Sequence, residues 1–172
     1  DPAAVHERQH YRLEFWRDGI ITYRRFFSIN GLAGVRQEDE DVFNATHRCL
    51  KELVGEGLID GVRVDHPDGL TDPFGYLTRL RELIGQDTWL IVEKILAADE
   101  PLDPRLNIHG TTGYDALREF DGVFVDASAA DQLGELAREY SGCTWDADAV
   151  EAAEWELKAR IAEEELAAEV RR

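Results

Sequence analysis

Between residues 41 and 56 the apolar side chains Val42, Phe43, Leu50, Leu53 and Val54 recur at helical spacing, with Thr46 on the same stripe. That period predicts a helix over 41–56, and Gly57 is a natural stop. The pattern then changes. Gly61-Val62-Arg63-Val64-Asp65 predicts a short strand that breaks at His66-Pro67-Asp68-Gly69. Asp72 precedes Pro73 and an apolar series of Tyr76, Leu77, Leu80, Leu83 and Ile84. This predicts a second helix, capped by Asp72, with Pro73 in its first position and an end at Gly85. Trp89-Leu90-Ile91-Val92-Glu93 reads as a second strand. Strand, helix and strand within about 30 residues form a βαβ unit, which makes the two strands parallel.

The rest of the chain is less sharply patterned. Pro2 to Trp16 reads as a polar helix followed by an aromatic patch. Ile20 to Ile29 is β-branched and aromatic, and predicts strand or extended loop. Gly110 to Tyr114 is a loop, and Gly122-Val123-Phe124-Val125 a short apolar run. Residues 131–140 and 146–172 look helical. In the last stretch Val150, Ala153, Leu157, Ile161, Leu166 and Val170 form an apolar stripe on an acidic helix. No repeat, low-complexity tract or linker divides the chain. The fold class is α/β.

Composition narrows the partners. With 36 acidic and 19 basic residues the net charge is −17, which opposes nucleic acid and anionic membrane surfaces. A neutral, hydroxyl-rich substrate such as a sugar is compatible with it. Hydrophobic residues make up 44%, enough for a packed core. Cys49 and Cys143 show no metal-type spacing and read as free thiols in a reducing compartment. No stretch approaches the ~20 apolar residues of a membrane span, and no signal peptide opens the chain. Both observations point to a cytoplasmic location. The 172 residues contain no methionine and end inside a helical pattern, so an excised fragment is expected.

Candidate chemistry sits at the two strand ends. Strand side chains alternate faces, so Arg63 and Asp65 share one face, as do Trp89, Ile91 and Glu93. Each strand therefore ends in a carboxylate, at the edge where parallel α/β architectures collect ligands. Equivalent heights on neighbouring strands would set the two carboxyl groups roughly 5–5.5 Å apart, the spacing of a retaining glycosidase pair. Arg63 beside Asp65 would keep it anionic and fit it as nucleophile. Glu93, flanked by Trp89 and Ile91, would be desolvated toward acid/base duty. The plainer alternative is an ion pair that orients a turn, with Glu93 capping the next helix. A metal site at Asp65, His66 and Asp68 is disfavoured by the intervening proline and by the lack of a second cluster. Tyr23-Arg24-Arg25-Phe26-Phe27 reads either as strand with solvent-facing arginines or as the lining of a sugar subsite. The Thr111-Thr112-Gly113-Tyr114 turn carries hydroxyls and an aromatic ring without a decisive signal.

Together these blocks resemble a known family. Gly61-Val62-Arg63-Val64-Asp65 followed by His66-Pro67-Asp68-Gly69-Leu70 is similar to the fourth-strand motif of the α-amylase clan, in the variant of the maltooligosyltrehalose synthase family. Gln9-His10-Tyr11-Arg12-Leu13, Tyr23 to Phe27, Val92-Glu93-Lys94-Ile95-Leu96, Gly110 to Asp115 and Phe124-Val125-Asp126 resemble the same family, in the same order. They cover about the first three-quarters of the chain. The resemblance implies an intramolecular transglycosylation with retained configuration and no cofactor. In it the reducing-end α-1,4 linkage of a maltooligosaccharide becomes an α,α-1,1 linkage. Asp65 would be the nucleophile, Glu93 the acid/base and Arg63 the residue holding Asp65. His66 with Tyr23, Arg24, Arg25 and Phe26 would hold the freed glucose. Asp68, Lys94, Thr112 and Tyr114 complete the candidate substrate-binding set.

The implied fold is a partial (β/α)8 barrel holding strands four and five. Residues 1–125 would be barrel with an upstream substrate-lining segment, and 126–172 a truncated helical insertion. Some of the family pattern is absent. The third carboxylate and the earlier Asn-His motif have no match, and Thr22 and Ser28 replace an asparagine and an acidic residue. The remainder of the barrel would be needed for activity, and the isolated chain is expected to be marginal. Another clan hydrolase or glucanotransferase, or a non-catalytic carbohydrate-binding fragment, are the alternative readings.

Overall fold

The computed structural model describes residues 1–9, 11–27, 29–142 and 147–164. In chain order the elements are α1 (Pro2–His6), β1 (Arg25–Phe26), β2 (Ile29–Ala33), α2 (Glu40–Thr46), α3 (Arg48–Gly55), β3 (Gly61–Val64), α4 (Pro73–Ile84), β4 (Trp89–Val92), β5 (Gly110–Thr111), α5 (Tyr114–Gly122), α6 (Ala130–Ser141) and α7 (Ala147–Glu163). Short 3-10 turns punctuate the loops, one of them Pro67–Gly69. The elements fall into two units. One spans Val35–Val125, and the other joins Asp1–Gly34 to the segment from Asp126 onward.

The unit at 35–125 carries the βαβ arrangement that the pattern predicts. Strands β3, β4 and β5 form one parallel sheet with β4 in the centre. Helix α4 connects the first two. Its cap is the expected one: Asp72 accepts the Gly75 N–H at 2.8 Å, and Pro73 needs no N–H partner in the first turn. A Cβ at Gly75 would sit 2.1 Å from Asp72 Oδ2, so a larger residue there would push the capping carboxylate aside. At the other end Gly85 stops the helix at φ 79°.

The buried face of α4 presents Tyr76, Leu77, Leu80 and Ile84. They pack with Val64, Leu90 and Val92 of the strands, and with Phe43 and Leu106. Burying side chains of this size stabilises by about 1.5–3 kcal/mol each. The core therefore lies on one side of the sheet. Alternation sends Arg63, Trp89 and Ile91 to the other side, where Trp89 stacks on His109 at 4.4 Å between ring centroids.

The helix expected over 41–56 is two helices, broken at His47. The His47 ring turns inward and is buried. Its Nδ1 lies 2.8 Å from Phe43 O and its Nε2 2.9 Å from the Tyr76 hydroxyl. A carbonyl only accepts, so Nδ1 carries the proton and Nε2 accepts from tyrosine. Tyr76→Phe removes that donor and strands a buried nitrogen, at a cost of about 1–3 kcal/mol. A lowered urea midpoint checks it. Burial also pushes the Tyr76 hydroxyl above its ordinary pKa of 10.0. The neutral phenol is thus favoured in the fold, so its contribution is complete below pH 10.0 and is lost as pH rises beyond it. Tyr76→Phe should remove that alkaline loss as well.

Other expectations are adjusted. The opening helix spans Pro2–His6 alone, since the Arg8 and Gln9 side chains take the carbonyls of Ala4 and Val5. The extended segment after Ile20 becomes a small antiparallel pair, β1 with β2, whose register slips between Arg25 and Phe26. Residues 123–125 form no strand and stay exposed beyond α5. Val150 and Leu157, placed on a core stripe by the pattern, are exposed on α7. Leu166 and Val170 of that stripe lie outside the described residues, as do His10, Ser28 and Cys143. Cys49 is an exposed free thiol on α3. Among the described residues no helix is long and apolar enough to cross a membrane.

Candidate active site

The parallel register decides which side chains meet. Val64 is opposite Val92, and Val92 is opposite Thr111. One residue further on, Asp65, Glu93 and Thr112 stand in a row across the three strand ends. The ladder still holds there: Glu93 N–H donates to Val64 O at 2.8 Å, and Thr112 N–H to Val92 O at 3.0 Å. Adjacent strands lie about 4.8 Å apart. Alternation from Val64 and Val92, which face the core, sends Asp65 and Glu93 to the opposite, open face.

Arg63 sits on that face two residues before Asp65. Its Nη1 lies 2.7 Å from Asp65 Oδ1, a charge-assisted contact that orients the carboxylate. The side chains of both are substantially exposed, at 46% and 63%, so the pair adds little to stability. Glu93 is half-buried. Thr112 offers a hydroxyl whose oxygen is buried and makes no hydrogen bond among the described residues. The turn into α5 is fixed locally. Thr111 Oγ1 accepts the Gly113 N–H at 3.3 Å and donates to Asp115 at 3.2 Å. Tyr114 opens the helix and is exposed.

After Asp65 the chain reverses through His66, which adopts φ 47°. The His66 ring lies over Gly69, where a Cβ would come within 2.5 Å of it. The reversal brings Asp68 to Lys94. Lys94 Nζ is 3.0 Å from Asp68 Oδ2 and 3.9 Å from Glu100 Oε1. Sequence reading placed Asp68 and Lys94 singly at the site but did not join them. The signal is weak, because alternation only says that Lys94 leaves the Glu93 face.

The structure therefore brings together Arg63, Asp65, His66, Asp68, Glu93, Lys94, Thr112 and Tyr114 at one sheet edge of the 35–125 unit. Tyr23, Arg24, Arg25 and Phe26 belong to the other unit. There the Tyr23 hydroxyl donates to Asn30 O, and Arg25 Nη1 donates to Asn30 Oδ1 at 2.7 Å. The Arg24 stem packs on Gly34, whose N–H donates to Arg24 O at 2.8 Å. Phe26 meets Phe27 edge to face at 4.5 Å.

No family model matches the chain. Comparison with individual proteins is decisive. Over 169 residues, 98% of the chain, it is 54% identical to a Mycobacterium tuberculosis protein named a putative maltooligosyl trehalose synthase. The chain is a relative of the maltooligosyltrehalose synthases. It spans 22% of the length of that Mycobacterium protein. The maltooligosyltrehalose synthase of Arthrobacter ramosus superposes on all of it, with a TM-score of 0.80 and 45% identity, again over 22% of the larger chain. A Sulfolobus tokodaii structure titled as a hypothetical maltooligosyl trehalose synthase matches 81% of the chain and 18% of its own length, at a TM-score of 0.64 and 40% identity. The resemblance drawn from the sequence blocks to the maltooligosyltrehalose synthases thus holds along the whole chain.

Proposed function

We propose that the chain supplies the nucleophile and the acid/base of an intramolecular transglycosylation within a partial (β/α)8 barrel. Asp65 attacks the anomeric carbon at the reducing-end linkage of a maltooligosaccharide. Glu93 gives its proton to the departing glucose oxygen. The freed glucose turns over in place, and its anomeric hydroxyl attacks the glycosyl ester. Glu93 takes that proton back, and Asp65 leaves. The two displacements retain configuration and consume no water, so an α-1,4 linkage becomes an α,α-1,1 linkage. Water must be kept out while glucose turns, because a water molecule at the same ester would release a reducing sugar instead. His66, Thr112 and Tyr114 are the candidates for holding that glucose.

The observation that carries this reading is the pair of carboxylates one residue past a shared rung, on one face, with Arg63 on Asp65. The similarity to the synthases supports the choice of reaction. The test uses a synthase of full family length carrying this segment, incubated with maltopentaose beside the chain alone. The full-length protein is expected to make a non-reducing product and the chain alone none. Shorter reducing sugars as the sole products of the full-length protein would replace this reading with a hydrolase.

A further inference from the structure

The backbone ladder between β3 and β4 ends at the Glu93 N–H, just where the two carboxylates begin. From there β3 turns away at His66 in a left-handed conformation. Beyond that point an ion pair also joins the two strand ends. Lys94 follows Glu93 directly and Asp68 follows Asp65 by three residues. Their charged groups meet at 3.0 and 3.3 Å. Glu100, in the loop after β4, draws on the same ammonium at 3.9 Å. The Lys94 side chain is the enclosed member, 20% exposed against 54% for Asp68 and 44% for Glu100.

Packing holds part of the turn as well, since Pro67 is buried and Leu70 packs against the core. A cavity of about 190 Å³ lies against the ion pair, bounded by Pro67, Asp68, Leu77, Val92, Lys94 and Leu106. Pro67 seats one side of the turn, and the ion pair fixes its exposed side, Asp68, against the end of β4.

We infer that Lys94 is a positioning residue: its bridge to Asp68 fixes the end of the Asp65 strand against the end of the Glu93 strand. This rests on the reading of Asp65 and Glu93 given above. The bridge is partly exposed, so it contributes little to stability. A two-carboxylate reaction is far more sensitive, since a misplacement of about 1 Å can cost about 10²-fold in rate. The link should therefore appear in kcat and not in the melting temperature.

The experiment compares Lys94→Met, Lys94→Arg, Asp68→Asn and Asp65→Asn in a synthase of full family length carrying this segment, with maltopentaose. For Lys94→Met, kcat is expected to fall about 10- to 100-fold, with KM within about twofold and Tm within about 2 °C. Asp68→Asn should reproduce the loss, and Lys94→Arg should recover most of it by keeping the charge. A raised KM at unchanged kcat would make Lys94 a sugar contact and overturn the inference, as would wild-type kinetics in Lys94→Met. Asp65→Asn separates the two layers. If it keeps activity, the reaction reading falls. If it is dead while Lys94→Met is unaffected, the positioning role alone falls.

Discussion

Asp65→Asn in a full-length synthase carrying this segment is expected to lose about 10⁴- to 10⁶-fold in kcat, the scale on which removal of a covalent nucleophile is felt. Glu93→Gln is expected to lose less, about 10²- to 10⁴-fold, as for a general acid/base. The difference in role gives a sharper test than the size of either loss. An α-maltosyl fluoride has a leaving group that needs no proton from Glu93. On that substrate Glu93→Gln should still release fluoride, in a burst as the ester forms and then waits for a base. Asp65→Asn should release none, because no carboxylate is present to form the ester. The reverse pattern, fluoride from Asp65→Asn and none from Glu93→Gln, would exchange the two assignments. Equal activity in both variants would remove the pair from the chemistry. Arg63 fits the assignment as drawn, since its guanidinium lies 2.7 Å from Asp65 and orients that carboxylate.

What was legible in the sequence is what local rules determine. The βαβ unit could be read because alternation, a 3.6-residue period, an Asp-Pro start and a glycine stop all lie within residues 61–93. The shared face of Asp65 and Glu93 followed from alternation together with parallel pairing. The break at His47 was not legible, because its partner Tyr76 lies 29 residues away and nothing near His47 announces it. Strand β5 reads as loop in the sequence, since two residues, Gly110 and Thr111, carry no apolar pattern. Its pairing is supplied by the edge of β4. The bridge from Lys94 to Asp68 depends on the left-handed turn at His66. The His66-Pro67-Asp68-Gly69 run announces a turn but not the left-handed backbone at His66 that carries Asp68 to Lys94. The open face of the sheet, with Trp89 55% exposed, is consistent with a chain that spans 22% of its relatives.

The largest effect on stability is expected from Arg81→Met, at the end of the strands remote from the carboxylates. Arg81 is 3% exposed, and among the described residues no carboxylate pairs with it. Its guanidinium instead gathers carbonyls. Nη1 donates to Gly85 O at 3.0 Å and to Thr88 O at 2.8 Å, while Nε and Nη2 donate to Asn107 O at 3.2 and 3.1 Å. Nη2 also lies 3.4 Å from His109 Nδ1, which accepts the Leu90 N–H at 3.0 Å. One side chain thus ties the end of α4 to the entry of β4 and of β5. Methionine keeps much of the stem but leaves these acceptors without donors, at about 1–3 kcal/mol each. A total of about 3–5 kcal/mol is expected, in the range of the most damaging single substitutions. For 172 residues the corresponding fall in Tm is about 6–20 °C. Arg81 touches neither carboxylate, so in a synthase of full family length carrying this segment the fraction that stays folded at low temperature should keep a near wild-type kcat. A variant that melts early yet turns over normally when cold would separate the frame of the sheet from its chemical edge. Loss of kcat at temperatures where the protein is still folded would show that the two ends of the strands are coupled.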